Sequence, residues 1–155
     1  MRRLALFALL ALLPGCQPKA ADGMTVTLEE FGRLQWLAGK WTGTASDGST
    51  FHESYVFLND STIRSYTWAD TGFTQLSDSS DLTLRHGGVS SGSGDLRWVL
   101  TSWDRFGLRF EPRGKAVNTF LWRYVDDYTW IATLRWQDRE GKRQEKVYTM
   151  RKWQL

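Results

Sequence analysis

The segment LQWLAGKWTGTA, residues 34–45, contains the change of periodicity that decides the fold. Before Gly39 the apolar residues recur every three or four positions, as on one face of a helix: Leu28, Phe31, Leu34, Leu37 and Ala38. After Gly39 apolar and polar residues alternate, which is typical of a half-buried strand. Thr27 and Glu30 have the spacing of a capping box, so we expect one short helix between Thr27 and Gly39, followed by strands.

The rest of the chain predicts an all-β domain. Turn residues recur roughly every ten to fifteen positions and separate ten candidate strands, at residues 40–45, 51–58, 62–69, 73–76, 81–86, 96–103, 108–111, 117–125, 128–136 and 145–152. Most connections are as short as hairpin loops, so neighbouring strands are expected to be antiparallel. The serine-rich segments 77–80 and 87–95 are interpreted as rim loops. Because closure removes the exposed edges of a meander, we predict an up-and-down antiparallel β-barrel of about 8–10 strands.

The N-terminal segment has the three parts of an export signal: Met1-Arg2-Arg3, ten apolar residues from Leu4 to Leu13, and a small residue before a cleavage point. The run Leu13-Pro14-Gly15-Cys16 resembles the lipobox of bacterial lipoproteins. That resemblance implies a lipid on the thiol of Cys16 and cleavage before it. We therefore expect a lipoprotein signal peptide at residues 1–15, a flexible tether at 16–26 and the barrel domain at 27–155.

The expected location is the bacterial cell envelope, with the protein anchored to the membrane through Cys16. Gln17 follows the cysteine, where the lipoprotein resemblance associates Asp with retention at the inner membrane. We therefore expect the outer membrane, facing the periplasm. The apolar run is shorter than the roughly 20 residues that a membrane-spanning helix needs.

Composition limits the classes of partner. The formal net charge is +3, and Arg2 and Arg3 account for two of those charges. A nearly neutral domain without a Lys/Arg block gives no reason to expect a nucleic-acid partner, and we expect a monomer. Nine Trp, eight Phe and five Tyr supply the apolar area for one core.

The segment Leu34 to Gly43, with its Gly39-x-Trp41 element, resembles the first strand of the calycins, the group of lipocalins and fatty-acid-binding proteins. It is similar to the opening of small uncharacterised bacterial lipocalin-like domains, and Glu53-Ser54-Tyr55 matches their second element. The resemblance implies that Trp41 closes one end of a barrel. It also implies that a basic residue of the last strand lies across the indole, with Arg151 expected and Lys152 as the alternative.

Nitrobindins, which are haem-binding barrels, share a similar Gly-x-Trp-x-Gly opening. In that family a histidine near the C-terminal strands holds the iron. Here the two histidines are His52 and His86, both in the first half of the sequence. We expect no haem and no other cofactor, with His52 on the outer face of the second strand and His86 at a strand end.

A turn at Asn59-Asp60 predicts what faces the barrel interior. With Leu58 opposite Ser61, Tyr55 lies opposite Arg64 and Glu53 opposite Tyr66. Aromatic volume then favours one face as the interior: Phe51, Glu53, Tyr55, Phe57, Arg64, Tyr66 and Trp68. For the hairpin at residues 117–136, alternation does not choose between a face with Arg123, Trp130 and Leu134 and a face with Phe120, Trp122 and Ile131.

This face predicts a charged pair inside the barrel. Glu53 and Arg64 are diagonal neighbours, and a buried carboxylate needs a partner. The pair is either a self-satisfied structural ion pair or a hook for the head group of a ligand, with Tyr55, Tyr66 and Trp68 completing the lining.

Two functions follow from these patterns. The first is a lipid-anchored binding protein that holds a small apolar or amphipathic ligand in its barrel, with Glu53, Tyr55, Arg64, Tyr66 and Trp68 as candidate ligand-binding residues. The second is a filled barrel that acts as a structural or protein-interaction module without a small ligand. Motifs of common enzyme classes, such as Gly-x-Ser-x-Gly, a phosphate loop or His-Glu-x-x-His, are absent from the sequence, and we expect neither catalytic residues nor a metal site.

Overall fold

A computed structural model describes residues 23–153 of the chain. The predicted signal peptide, the lipid-attachment residue Cys16 and most of the predicted tether lie outside these residues. The last tether residues lie against the barrel instead of apart from it. The backbone N–H of Met24 donates to Leu100 and that of Val26 to Gly87, and the Val26 side chain is buried. The ordered domain therefore includes residues 24–26.

The N-terminal helix begins with the expected capping box. Thr27 Oγ1 accepts the Glu30 backbone N–H at 3.1 Å, and the Glu30 carboxylate accepts the Thr27 N–H at 2.8 Å. The helix α1, Leu28–Gly32, continues directly as a 3-10 helix, Arg33–Leu37. Phe31, Leu34 and Leu37 are fully buried. Their spacing of three residues fits the three-residue repeat of a 3-10 helix, which explains why one regular α-helix does not reach Gly39.

Ten antiparallel strands follow and form a closed barrel, which confirms the predicted fold class. Each strand pairs with its neighbours in sequence, and β1 pairs with β10 to close the sheet. The strands are β1 Gly39–Ala45, β2 Thr50–Asn59, β3 Thr62–Trp68, β4 Leu76–Arg85, β5 Gly88–Ser93, β6 Leu96–Asp104, β7 Gly107–Gly114, β8 Thr119–Asp126, β9 Thr129–Gln137 and β10 Arg143–Lys152. No helix within residues 23–153 has the length and apolar character needed to cross a lipid bilayer.

The predicted number of strands is correct, but two of their positions are not. Of the predicted strand at 73–76 only Leu76 is in a strand, at the start of β4, and the rest is a loop in which the Asp70 carboxylate accepts backbone N–H groups of Gly72, Thr74 and Gln75. The serine-rich segments that were expected to be rim loops are strands: residues 77–80 lie in β4 and most of 87–95 forms β5. Serine has low strand propensity, but the pairing of β4 and β5 with β3 and β6 overrides that preference.

One-residue register shifts recur at the end of the barrel where the helix lies, which we call the helix end. Three hairpins there contain one: between Phe57 and Asn59 in β2, between Leu100 and Ser102 in β6, and between Tyr124 and Asp126 in β8. Each shift leaves one residue without a cross-strand partner, as in a β-bulge. Because side chains alternate along a strand, each shift also changes which side chains share a face across the hairpin.

Trp41 lies at the helix end of the barrel, beside the 3-10 helix. Its side chain is fully buried, and its Nε1 donates a 2.7 Å hydrogen bond to the carbonyl of Leu37. The prediction that Arg151 covers this indole is wrong. The register pairs Trp41 with Lys152, whose Nζ lies 5.2 Å from the ring centroid. Arg151 is on the opposite face of β10 and donates to Thr129 Oγ1 at 2.8 Å.

Candidate functional site

Two of the five predicted ligand-binding residues line the lumen, and three do not. Glu53 and Tyr55 face the interior of the barrel. The register shift after Phe57 places Tyr55 opposite Ser65 and Glu53 opposite Thr67, one residue away from the expected pairing. Consequently every side chain of β3 takes the face opposite to the predicted one, and Arg64, Tyr66 and Trp68 lie on the outer surface.

The predicted interior ion pair between Glu53 and Arg64 therefore does not exist. Arg64 pairs with Asp81 on β4, through Nε at 2.7 Å and Nη2 at 2.9 Å. Both side chains are more than one-third exposed. This bidentate pair holds the pKa of Asp81 below its ordinary value. The pair is an external cross-strand contact and has no access to the lumen.

Trp68 belongs to a small cluster on the outer face. Its Nε1 donates to Ser54 Oγ at 2.9 Å, and its ring contacts Phe73 from the loop after β3. Phe73 also covers His52, which is 7 % exposed and has its Nδ1 3.0 Å from Thr42 Oγ1. His52 thus lies on the outer face, as predicted, and His86 lies in the turn that follows β4.

The lumen contains a cavity of about 220 Å³. Fourteen residues from seven strands form its lining, and two groups of these strands contribute chemically different sides. On β3, β4 and β5 the lining includes hydroxyl groups, which we call the serine wall: Ser65, Thr67, Ser80 and Ser91. On β6, β8 and β9 it includes large rings, which we call the aromatic wall: Trp98, Phe120, Trp122 and Trp130. The remaining lining residues are Phe51, Glu53, Tyr55, Leu82, Ala132 and Leu134.

The aromatic wall is a continuous set of ring contacts. Phe120 stacks on Trp122 with centroids 5.6 Å apart, and Trp122 meets Trp130 edge-on at 5.6 Å. The ring of Tyr55 on β2 contacts both indoles, with centroid distances of 6.0 Å to Trp122 and 6.2 Å to Trp130. Offset and edge-to-face contacts of this kind hold rings in fixed positions. The wall therefore offers a rigid, preformed surface for a flat apolar group.

Glu53 is the only lining residue with a carboxyl group, and no Lys, Arg or His lines the cavity. Its Oε2 accepts a 2.6 Å hydrogen bond from the hydroxyl of Tyr55. Burial raises the pKa of Glu53 from 4.5 to about 7, even though the bond from Tyr55 lowers it. Burial and the adjacent carboxyl also raise the pKa of Tyr55 well above its ordinary value.

One polar group of the lining, the indole N–H of Trp130, has no hydrogen-bond partner. The indole Nε1–H of Trp130 makes no hydrogen bond to any described residue, although the side chain is only 1 % exposed. By comparison, the Nε1–H groups of Trp41, Trp68 and Trp98 all have acceptors. Leaving a buried donor unsatisfied costs about 1–3 kcal/mol, so such groups in native proteins usually meet a water or a ligand.

The serine wall was not predicted from the sequence, and the sequence did not decide which residues of the 117–136 hairpin belong to the aromatic wall. The hairpin at 117–136 has four residues on its inner face: Phe120, Trp122, Trp130 and Leu134. The register shift after Tyr124 places residues from both of the predicted faces on this one face. Gly43 gives no free space, since an added Cβ there would lie 2.6 Å from Met150 and Phe51. The signal that could have identified β4 and β5 is alternation: Ser80 and Leu82, and also Val89 and Ser91, are spaced by two.

Two depressions on the outer surface, both lined by arginines, are larger than the lumen cavity. One is lined by Arg109, Arg135 and Arg143, and the other by Arg64, Arg85 and Arg97. In each, at least one arginine is paired with an acidic neighbour, as in Arg135 with Glu145 and Arg64 with Asp81. They lie on the convex outer face of the sheet, where water screens charge. The lumen is therefore the candidate functional site.

Within residues 23–153, no group of three or more His, Cys, Asp or Glu side chains is arranged to hold a metal ion. A comparison of the sequence with models of protein families finds no match, and a comparison with curated protein sequences finds none either.

Proposed function

We propose that this chain is a lipid-anchored binding protein of the bacterial envelope and that its barrel holds a compact small molecule. The observation that carries the proposal is the lumen cavity of about 220 Å³, whose lining combines rigid rings with a carboxyl group and with an indole N–H that has no protein partner. Ligand sites typically combine an apolar lining with a few placed polar groups. The calycin resemblance of residues 34–43 supports the same reading.

The size of the cavity limits the ligand. An engineered cavity of about 150 Å³ is large enough to bind benzene, whereas sites for drug-sized ligands are about 300–1,000 Å³. The lumen lies between these values. We therefore expect a molecule of one or two rings, or a short branched chain, in place of a long fatty acid. No cation lines the cavity, so the head-group hook of a fatty-acid-binding protein has no counterpart in this lumen.

Binding in the lumen is tested with two compact neutral probes, indole and benzyl alcohol, and with palmitate as a long anionic one. Titration calorimetry is expected to detect the compact probes and not palmitate. Ser91→Leu adds bulk inside the lumen and is expected to weaken binding by at least about tenfold. Ser90→Leu is the matched control, because Ser90 lies on the outer face of the same strand. Failure of every compact probe to bind, or equal effects of the two variants, would overturn lumen binding.

The lipid anchor rests on the order of the N-terminal elements and on the lipobox-like run that ends at Cys16. Metabolic labelling with palmitate tests it: the wild-type chain is expected to incorporate the label and to sediment with membranes. Cys16→Ser is expected to abolish both. An unlabelled wild-type chain in the soluble periplasmic fraction would contradict the anchor and leave the lumen proposal standing.

The alternative function, a filled barrel that acts only through its outer surface, receives less support. It would use apolar side chains exposed at the helix end, such as Phe106 at 62 % and Tyr128 at 58 %. It offers no role for the cavity, for Glu53 or for the unpaired indole of Trp130. The probe titrations distinguish the two functions, because a filled barrel predicts no response to Ser91→Leu.

A further inference from the structure

We propose that the ligand is a compact organic cation, an amine or a quaternary ammonium compound, held between the carboxylate of Glu53 and the aromatic wall. This inference rests on the proposed binding function and names the chemical class that the lumen selects. It reverses the charge expected from the fatty-acid-binding resemblance, in which a basic interior residue meets an anionic ligand.

The charge balance of the lumen is the first argument. Glu53 lines the cavity without a compensating cation, and its one hydrogen-bond partner there is the hydroxyl of Tyr55. A buried carboxylate is unfavourable unless it is paired, so an uncompensated one favours a positively charged guest. The two lysines on the inner face near the ends of the barrel already have other contacts. Lys152 lies over Trp41, and Lys146 lies 3.0 Å from Asp47.

The aromatic wall is the second and independent argument. Six of the lining residues have aromatic rings: Phe51, Tyr55, Trp98, Phe120, Trp122 and Trp130. Ring faces attract cations, most strongly when the cation is desolvated, and cages of several rings are the usual recognition element for quaternary ammonium groups. An anionic guest would meet the same ring faces and the same carboxyl unfavourably. Both observations therefore select the same sign of charge.

Binding of a cation is expected to depend on pH. Because burial raises the pKa of Glu53 to about 7, the carboxyl is largely ionised only above neutral pH. On its own strand Tyr55 shares the inner face with Glu53, whereas His52 lies on the outer face. The positions that face it on the neighbouring strands, Trp41 on β1 and Thr67 on β3, carry no charge, and Asp78 lies opposite Thr67 on β4. The affinity for a cation is therefore expected to decrease as the solution is acidified from pH 8 to pH 5.

Three probes of nearly equal shape test the charge preference: benzylammonium, benzyl alcohol and benzoate. Titration calorimetry at pH 8 is expected to give an affinity for benzylammonium about tenfold above that for benzyl alcohol, with benzoate the weakest. Glu53→Gln is expected to remove this advantage, so that the ratio of the affinities for benzylammonium and benzyl alcohol falls from about ten to about one. Retained binding of benzyl alcohol shows that the variant is folded. Glu140→Gln, in the exposed turn before β10, is the control and is expected to change nothing.

The outcomes separate this inference from the proposed function. Equal affinities for benzylammonium and benzyl alcohol, with both abolished by Ser91→Leu, would overturn the cation preference and retain lumen binding. Benzylammonium binding that survives Ser91→Leu would place the cation outside the lumen and also overturn the inference. Absence of binding by all three probes would overturn the function and the inference together.

Discussion

The hydroxyl of Tyr55 donates a 2.6 Å hydrogen bond to the carboxyl of Glu53, two residues earlier on β2 and inside the lumen. Both residues lie on the inner face, because side chains two positions apart on a strand point the same way. The bond links the one carboxyl of the cavity to the ring cluster around Trp122 and Trp130. The carboxyl of Glu53 and the hydroxyl of Tyr55 can each be removed by a separate substitution.

Glu53 is expected to make the stability of the barrel depend on pH. Its pKa is about 7 in the folded chain and 4.5 as the ordinary value, so the folded state favours the protonated form. The stability that this difference provides is complete below pH 4.5 and is lost as the pH rises through 7. Glu53→Gln is therefore expected to be more stable than the wild type above pH 7, by up to about 3 kcal/mol. Urea unfolding between pH 4 and pH 8.5 measures this difference.

The matched control for this experiment is Glu140→Gln, because Glu140 is exposed in a turn. Its unfolding free energy is expected to follow the wild-type pH profile. If the Glu53→Gln profile also ran parallel to the wild type, the carboxyl would not be buried as described.

Tyr55→Phe is expected to move the pH range in which Glu53 ionises to higher values. The hydrogen bond from Tyr55 lowers the pKa of Glu53, so removing the hydroxyl raises that pKa above about 7. Carboxyl-carbon NMR titration of Glu53 in the two proteins measures the change directly. Tyr128→Phe, at an exposed position, serves as the control. A downward shift in Tyr55→Phe would mean that Tyr55 stabilises the protonated carboxyl and not the ionised form.

Arg64→Gln is expected to have a small effect on stability and none on the lumen. The pair with Asp81 is about one-third exposed on both sides, and surface pairs of this kind contribute about 0–1 kcal/mol. Since Arg64 lowers the pKa of Asp81, Arg64→Gln is expected to lose stability at pH values above the ordinary pKa of that carboxyl. This loss is expected to disappear as the pH falls below that pKa. Binding of benzyl alcohol is the second measurement. A change in its affinity would indicate that Arg64 reaches the lumen after all.

Gly43→Ala is expected to destabilise the barrel by about 1–3 kcal/mol. The new Cβ would lie 2.6 Å from Met150 Sδ and from Phe51 Cε1, so at least one of these side chains must move. Gly32→Ala provides the opposite case, because an added Cβ there has no neighbour within 4 Å and alanine favours helix. We expect a lower melting temperature for the first variant and an equal or higher one for the second. Equal losses in both would argue against a filled inner face at Gly43.

The sequence predicted the elements better than their pairing. Strand periodicity, the capping box at Thr27 and the closed barrel could be read directly, because alternation and turn residues are local signals. The face of the barrel wall on which Arg64 lies could not be predicted, because it depends on a register shift that no residue type marks. The serine wall was missed for another reason. Ser80 and Ser91 have low strand propensity, and only their pairing with neighbouring strands makes them part of the sheet.

The role of Arg151 shows the same limit at the end of the chain. A basic residue over Trp41 was correctly anticipated as a type of contact, yet the choice between Arg151 and Lys152 depends on the pairing of β10 with β1. Adjacent residues of a strand occupy opposite faces, so an uncertainty of one position exchanges the two candidates completely. The general architecture tolerates that uncertainty, whereas the identity of any single lining residue does not.

The missing cross-strand partner of Leu58 has a consequence for the divergence of such barrels. Regular pairing of Leu58 with Ile63 would turn Ser65 and Thr67 towards solvent and carry Arg64 and Tyr66 inward, with no change in amino-acid composition. A lumen with one uncompensated carboxyl and a lumen with a neutral Glu53–Arg64 pair are thus separated by the hydrogen-bonding pattern of a single hairpin. Chains with nearly the same residues therefore differ in whether their lumen carries a net charge.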